Sequence, residues 1–222
     1  MQPTESIDVV LDVAARLGFQ GIAQRQADLS PALKNFHQAI LRAFLDEGST
    51  PSHRRLVEQA SQMSLDHDDV VARLSEIDLL HVSEGVVRVA YPFSGVPTAH
   101  GVRLENGRKL WAMCALDALG ILLMAKCDGT IISADPQSKE PIQVERRRGE
   151  WLWQPDEAVV VVGLTNGCAR VDEGACPNIN FHANAQGAVE HLNVHPEITG
   201  QLVSQAVAIE LADRIFGSLL DP

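Results

Sequence analysis

The chemistry-bearing residues of this chain begin with a thiol and a carboxyl inside one apolar run. Trp111-Ala112-Met113-Cys114-Ala115-Leu116-Asp117-Ala118-Leu119-Gly120 opens a stretch that continues to Met124. Its pattern fits a buried helix better than a strand. Spacing of i and i+3 puts Cys114 and Asp117 on one helix face, neighbours across a single turn. Burying a carboxyl is costly unless it is protonated or partnered, so an Asp at this place needs a reason. One reason is local: a hydrogen bond nearby, or a side chain that points outward. The other is chemical: a soft nucleophile held beside a proton carrier. Perturbed carboxyls mark functional sites only statistically, and spacing alone leaves both readings open.

The remaining cysteines are Cys127, Cys168 and Cys176, all in the second half of the 222 residues. No pair has C-x-x-C spacing, which removes the common zinc-knuckle and thioredoxin readings. A chain of this size does not need disulfides, so the four are read as thiols. Apolar residues make up 45% and the formal net charge is -11, as in an ordinary globular protein and unlike one whose main partner is nucleic acid or an anionic membrane. The N-terminus lacks a basic region followed by a hydrophobic segment, and no apolar stretch is long enough to span a bilayer. The expected location is cytoplasmic, with no membrane partner.

The elements that must position these groups fall into two parts, residues 1–90 and 91–222. A helix is predicted over about 4–19, ended by Gly18 or Gly21. Ser30-Pro31 starts a second helix, which stops at Gly48. Thr50-Pro51 repeats the signal for a helix through Leu56, Val57 and Ala60. Ser64 precedes another at about 66–77, and Leu79–Val82 with Val86–Ala90 form a hairpin. Three helices followed by a hairpin is the order of a winged helix, and the fold class expected is α+β: a winged-helix-like three-helix domain, then a mixed helix and β-sheet catalytic domain. Residues 31–90 hold six basic against nine acidic residues, and the would-be recognition helix opens with Asp66, Asp68 and Asp69. A phosphate-binding face needs the opposite sign, so the unit is read as packing and no nucleic-acid partner is expected.

Tyr91–Pro97 reads as a proline-punctuated linker whose aromatics can pack back on either side. Asn106-Gly107 between apolar segments is a hairpin signal. Beyond the Cys114 stretch, strands are expected at Thr130–Ser133 and Ile142–Val144 about an Asp135-Pro136 turn, at Trp151–Trp153, and at Val159–Val162. Arg146-Arg147-Arg148 reads as a solvated turn. A long irregular loop, Leu164–Pro177, holds Cys168 and Cys176; loops of this length in compact domains are usually functional or mobile. A short strand at Asn178–His182 and helices at about 184–193 and 202–217 complete the chain.

Met113-Cys114-Ala115-Leu116-Asp117-Ala118-Leu119-Gly120, taken with Cys176-Pro177-Asn178-Ile179-Asn180-Phe181, resembles the organomercurial (alkylmercury) lyase family from about Tyr91 to Leu220. The resemblance implies a Cys–Asp–Cys triad mapped onto Cys114, Asp117 and Cys176. Those three residues would be both the catalytic groups and the mercury(II) ligands. Some family members carry a second cysteine adjacent to the loop cysteine, whereas Ala175 and Pro177 flank Cys176 here. Cys127 and Cys168 match no catalytic position; Cys127 is read as structural and Cys168 as a plain loop residue or a mercury shuttle. His182, close after Cys176, is read as a packing residue.

The activity so implied is protonolysis of a carbon–mercury bond to give a hydrocarbon and mercury(II). Thiolates are the protein ligands that suit a soft metal, and a carboxyl is the proton carrier that cleavage requires. No cofactor is expected. The expected partners are an organomercurial substrate, low-molecular-weight thiols that take mercury(II) away, and a mercuric reductase as acceptor. The competing reading is a thiol-based metal-binding or metal-responsive regulatory protein with a winged-helix reader.

Overall fold

A computed structural model describes residues 2–16, 21–165 and 171–222. Five helices come first: α1 Ile7–Arg16, α2 Gly21–Ala27, α3 Pro31–Glu47, α4 His53–Gln62 and α5 His67–Glu76. The first helix starts at Ile7, later than the expected start near residue 4, and its expected Gly18 terminus lies outside the described residues. α3 follows the sequence signals, with the Ser30 hydroxyl accepting from the Leu33 N–H and Gly48 closing the helix in the left-handed region at φ 71°. α4 starts later than Thr50-Pro51 suggested, because Ser52 is the residue whose side chain caps it, at the Arg55 N–H. The acidic start of α5 has a local cause. Asp66 is the N-cap, accepting from the N–H groups of Asp68 and Asp69, and those carboxylates sit where the helix dipole favours negative charge.

The strands β1 Leu80–Ser83, β2 Val86–Ala90, β3 Phe93–Ser94, β4 His100–Leu104, β5 Lys109–Ala112, β6 Gly129–Ala134, β7 Pro141–Arg147 and β8 Glu150–Gln154 form one antiparallel sheet. Its order is β1-β2-β3-β5-β4-β6-β7-β8. The segment expected to be a linker therefore holds a strand. β3 pairs β2 on one side and β5 on the other, so the sheet continues past residue 90. Tyr91 and Phe93 are fully buried, and Phe93 stacks on Phe44 of α3 with ring centroids 4.9 Å apart. Arg146 is not in a turn but in β7, where Nη1 donates to the Cys127 carbonyl at 2.8 Å. The turn is Arg148-Gly149, both at positive φ.

A second, three-stranded sheet has β9 Val159–Thr165 at its centre, flanked by β10 Ile179–His182 and β11 Ile198–Val203. Between β9 and β10 come α7 Val171–Gly174 and a 3-10 turn at Cys176–Asn178. α8 Ala185–Val194 precedes β11, and α9 Gln205–Ala212 runs into a wide turn at Asp213–Gly217. The helix expected from 202 loses its first residues to β11: Leu202 and Val203 pair with Val161 and Val160, and Ser204 caps α9. Sheet pairing with a buried neighbour outweighs the helix-like apolar spacing there. Thr4 bridges Val203, and α1 packs on β11 and α9, so the N-terminal stretch joins this second layer.

α6 Ala115–Met124 lies between the two sheets. It packs on β4, β5 and β6, on β10, and on α9 with the turn that follows it. Nearly all of it is buried, which explains a composition apolar on every face. A Cβ on Gly120 would collide with the Phe216 ring. The glycine, unfavourable inside a helix by about 1 kcal/mol relative to alanine, is what lets Phe216 approach.

Candidate active site

Cys114 lies at the junction of β5 and α6, not inside a helix as the apolar spacing suggested. β5 pairing to Ala112 holds the chain extended, and Cys114, with φ -152° and ψ -176°, is the N-cap of α6. Asp117 is then the third residue of the helix. These are the two positions at which a serine or threonine and a glutamate form a capping box. Here a thiol and an aspartate occupy them. The Cys114 side chain makes no cap bond to the helix; it donates to Asp117 Oδ2 at 2.7 Å. Both side chains are completely buried.

Cys176 reaches the same oxygen from the far side of the fold. It opens the 3-10 turn after α7, and its Sγ lies 3.9 Å from Asp117 Oδ2. Asn178 fixes that turn: its Nδ2 donates to Thr165 Oγ1 at 2.7 Å and to the Gly174 carbonyl at 2.9 Å. β10, which follows at once, pairs with β9 and packs on α6. The three ligand atoms of Cys114, Asp117 and Cys176 all lie within 4.8 Å of one another. Metal–sulfur bonds are about 2.3 Å for zinc thiolates and longer for larger soft ions, so two sulfurs so placed can share one ion.

Burial sets the electrostatics. It lifts the Asp117 carboxyl from 3.8 to about 7, against the lowering effect of hydrogen bonds from the two thiols and nearby backbone N–H groups. Burial also raises the Cys176 thiol to about 11 and the Cys114 thiol well above its ordinary range, and negative charge on Asp117 adds to both. Because negative charge on Asp117 disfavours either thiolate, the trio titrates as a unit: the thiols keep their protons at neutral pH, and Asp117 stands near the midpoint of its titration there. Asp117 Oδ1 is buried with no hydrogen-bond partner.

The other sequence candidates fall elsewhere. Cys127 is half-buried and free. Cys168 lies outside the described residues. His182 is buried against His191, ring centroids 5.0 Å apart, with Nδ1 3.4 Å from Asp135 Oδ2 and no hydrogen bond to either nitrogen. Burial lowers its pKa to about 4, so it stands neutral.

One group was not foreseen. Asp78, His81 and Asp172 bring three potential ligand atoms within 4.8 Å of one another. His81 Nε2 is 2.7 Å from Asp78 Oδ1, and Arg25 Nη1 donates to Asp78 Oδ2 at 3.0 Å. Asp172 is on α7, one turn before Cys176. Nothing in the local sequence of Asp78-Leu79-Leu80-His81 marks it, because its partners come from α2 and α7.

A family described as alkylmercury lyase matches residues 93–217, more than half of the chain. No curated protein matches the sequence. Among solved structures, one described as the mercury-bound form of MerB2 superposes with a TM-score of 0.75 at 20% identity, covering 91% of this chain and 98% of that one. At that identity the likeness establishes the mixed helix and sheet fold.

Proposed function

The chain belongs to the alkylmercury lyase family, and from that premise we propose that it cleaves the carbon–mercury bond of an organomercurial by protonolysis, with Cys114, Asp117 and Cys176 as its working groups. What supports the reading is a single observation: two buried thiols face one oxygen of a buried carboxyl whose proton is held up to about pH 7.

The steps follow from that geometry. A substrate R–Hg–X exchanges X for one cysteine sulfur, and the displaced thiol proton leaves as HX. The second sulfur then coordinates the metal and pushes electron density onto it. Asp117 gives its proton to carbon and takes the second thiol's proton in its place, and the electron pair of the C–Hg bond becomes the new C–H bond. R–H departs, and mercury(II) stays between two thiolates, the ligands a soft ion prefers. Two external thiols remove it as Hg(SR′)2 and both enzyme thiols are restored. No cofactor enters this balance. The low-dielectric setting keeps the proton on the site until carbon can take it.

The finer assignments belong to the same proposal. Residues 91–222 supply all three groups, and residues 1–90 serve as a winged-helix-like packing unit without a nucleic-acid role, consistent with acidic capping of α5. No described helix is long and apolar enough to cross a membrane. We place the protein in the cytoplasm, where low-molecular-weight thiols and a mercuric reductase can receive the metal. The direct test is incubation with phenylmercury and excess thiol, followed by chromatography for benzene; no benzene above a protein-free control refutes the activity.

A further inference from the structure

We propose that Asn178 is the positioning residue that holds the Cys176 sulfur beside Cys114 and Asp117, and that without its side-chain amide the site falls from two working sulfurs to one. The inference rests on the activity proposed above, which needs both sulfurs on one metal ion. The two cysteines are not held alike. Cys114 sits where a paired strand enters a buried helix, and its position comes with β5 and α6. Cys176 opens a three-residue turn that follows a four-residue helix. Elements this short do not hold themselves, because a first helical turn costs more order than its few bonds return. Something outside the turn must fix the second sulfur.

The carbonyls around Cys176 identify what does. Carbonyls drawn away from water need donors, and all four from Gly174 to Pro177 receive one. The Asn178 N–H donates to Ala175 at 2.8 Å, and the Ile179 N–H donates to Cys176. Side chains reach the other two: Asn178 Nδ2 donates to Gly174 at 2.9 Å and Asn180 Nδ2 to Pro177 at 2.8 Å. The Asn180 bond is exposed and local. Asn178 Nδ2 reaches further, donating also to Thr165 Oγ1 at 2.7 Å. Thr165 ends β9 and pairs with Ile198 of β11, so its hydroxyl is a fixed point. One amide thereby ties the turn that carries Cys176 to the central strand of the second sheet.

The tie is specific to an amide. One NH2 group serves two acceptors, and the Gly174 carbonyl can only accept. Aspartate has the same outline, but its carboxylate would face that carbonyl oxygen and could keep only the Thr165 hydroxyl, turned round as donor. β9 also leaves room for this residue. A Cβ on Gly163 would stand 2.8 Å from the Asn178 carbonyl oxygen and 3.3 Å from its Cβ. A misplacement of about 1 Å at a reacting group can cost about 10²-fold in rate, so a sulfur freed from this tether no longer makes the second bond.

The test uses the full chain and phenylarsine oxide, a probe that needs two thiols. PhAs=O and two S–H groups give PhAs(S)2 and water, with arsenic trivalent throughout. Mass spectrometry reads the fraction of protein that keeps the arsenical against rising free cysteine, and Cys176→Ala sets the one-sulfur level. Asn178→Ala and Asn178→Asp should give it up at a cysteine concentration lower by about tenfold or more, since two sulfurs held together resist a competitor through their effective concentration. Benzene release from phenylmercury should fall with it. Thr165→Ser keeps the acceptor and should match wild type. Ser30→Ala removes the α3 cap and should lower the melting temperature while leaving retention unchanged, which separates positioning from a loosened fold. If Asn178→Ala does not fold, Thr165→Val, which removes one of the amide's two acceptors, carries the same test. Wild-type retention in the folded variant overturns the proposal and leaves the proposed activity standing. An equal loss in Ser30→Ala overturns it too. A wild type that releases no benzene removes the lyase reading, and the arsenical still decides whether Asn178 places the sulfur.

Discussion

Cys176 lies 59 positions after Asp117 in sequence and brings its sulfur to 3.9 Å from the carboxylate oxygen that Cys114 already holds at 2.7 Å. A shared acceptor of this kind makes the two cysteines one unit. Cys114→Ala or Cys176→Ala should each abolish hydrocarbon release, because mercury(II) then lacks its second sulfur. Cys127→Ala should keep near wild-type release. Product chromatography on the three variants checks this; full activity of Cys176→Ala would show that the second ligand is another residue.

The proton on Asp117 links activity to stability. The folded protein holds it up to about pH 7 and the unfolded chain only to 3.8, so this group makes stability fall as pH rises between those values. Above pH 7 the buried carboxylate costs up to about 4 kcal/mol at 1.36 kcal/mol per unit. Asp117→Asn removes that cost. Its melting temperature should exceed wild type at pH 8, and the gap should narrow towards pH 4. Parallel melting curves with a constant gap would contradict the buried, proton-holding carboxyl.

Gly120 tests the placement of the helix that carries Asp117. Alanine there must displace the Phe216 ring, a kind of overpacking that costs about 1–3 kcal/mol. Denaturant unfolding of Gly120→Ala should show that loss, and Phe216→Leu in the same chain should recover part of it. An unchanged midpoint would mean that α6 and the C-terminal turn are not in contact as described.

The acidic face of α5 gives a prediction for residues 1–90. Asp66, Asp68 and Asp69 stand where a phosphate-reading helix would need lysine or arginine. Fluorescence anisotropy with a duplex oligonucleotide at physiological salt should show no binding at micromolar protein. Micromolar affinity would favour the metal-responsive regulator instead.

Cys114 and Asp117 show how far the sequence reaches. Their pairing was legible because three positions along a helical stretch are neighbours whether the first residue is inside the helix or caps it. That Cys114 is the cap was not legible, since it follows from β5 pairing with β3 and β4 through Ala112. Local patterns carried α3 through Ser30 and Gly48, and the Val159–Val162 strand through its branching. They failed at Leu202-Val203, where pairing with β9 decides, and at Phe93-Ser94, read as linker but paired as β3 with β2 and β5. The meeting of Cys176 with Asp117 has no local signature at all. It depends on β10 docking on α6, and only the resemblance in the Cys176–Phe181 segment pointed to it.

The central claim is that Asp117 delivers the proton that breaks the carbon–mercury bond. Two cysteines suffice to bind mercury, so an enzyme and a mercury trap differ at this residue. Asp117→Asn keeps the shape and a hydrogen-bonding group but removes the acid. The decisive measurement pairs benzene release from phenylmercury, by chromatography, with bound mercury, by mass spectrometry, on the same Asp117→Asn sample. The account predicts release lowered by about 10²–10⁴-fold, as for other positioned acid–base groups, with mercury still held by the two thiols. Release at the wild-type rate would contradict it.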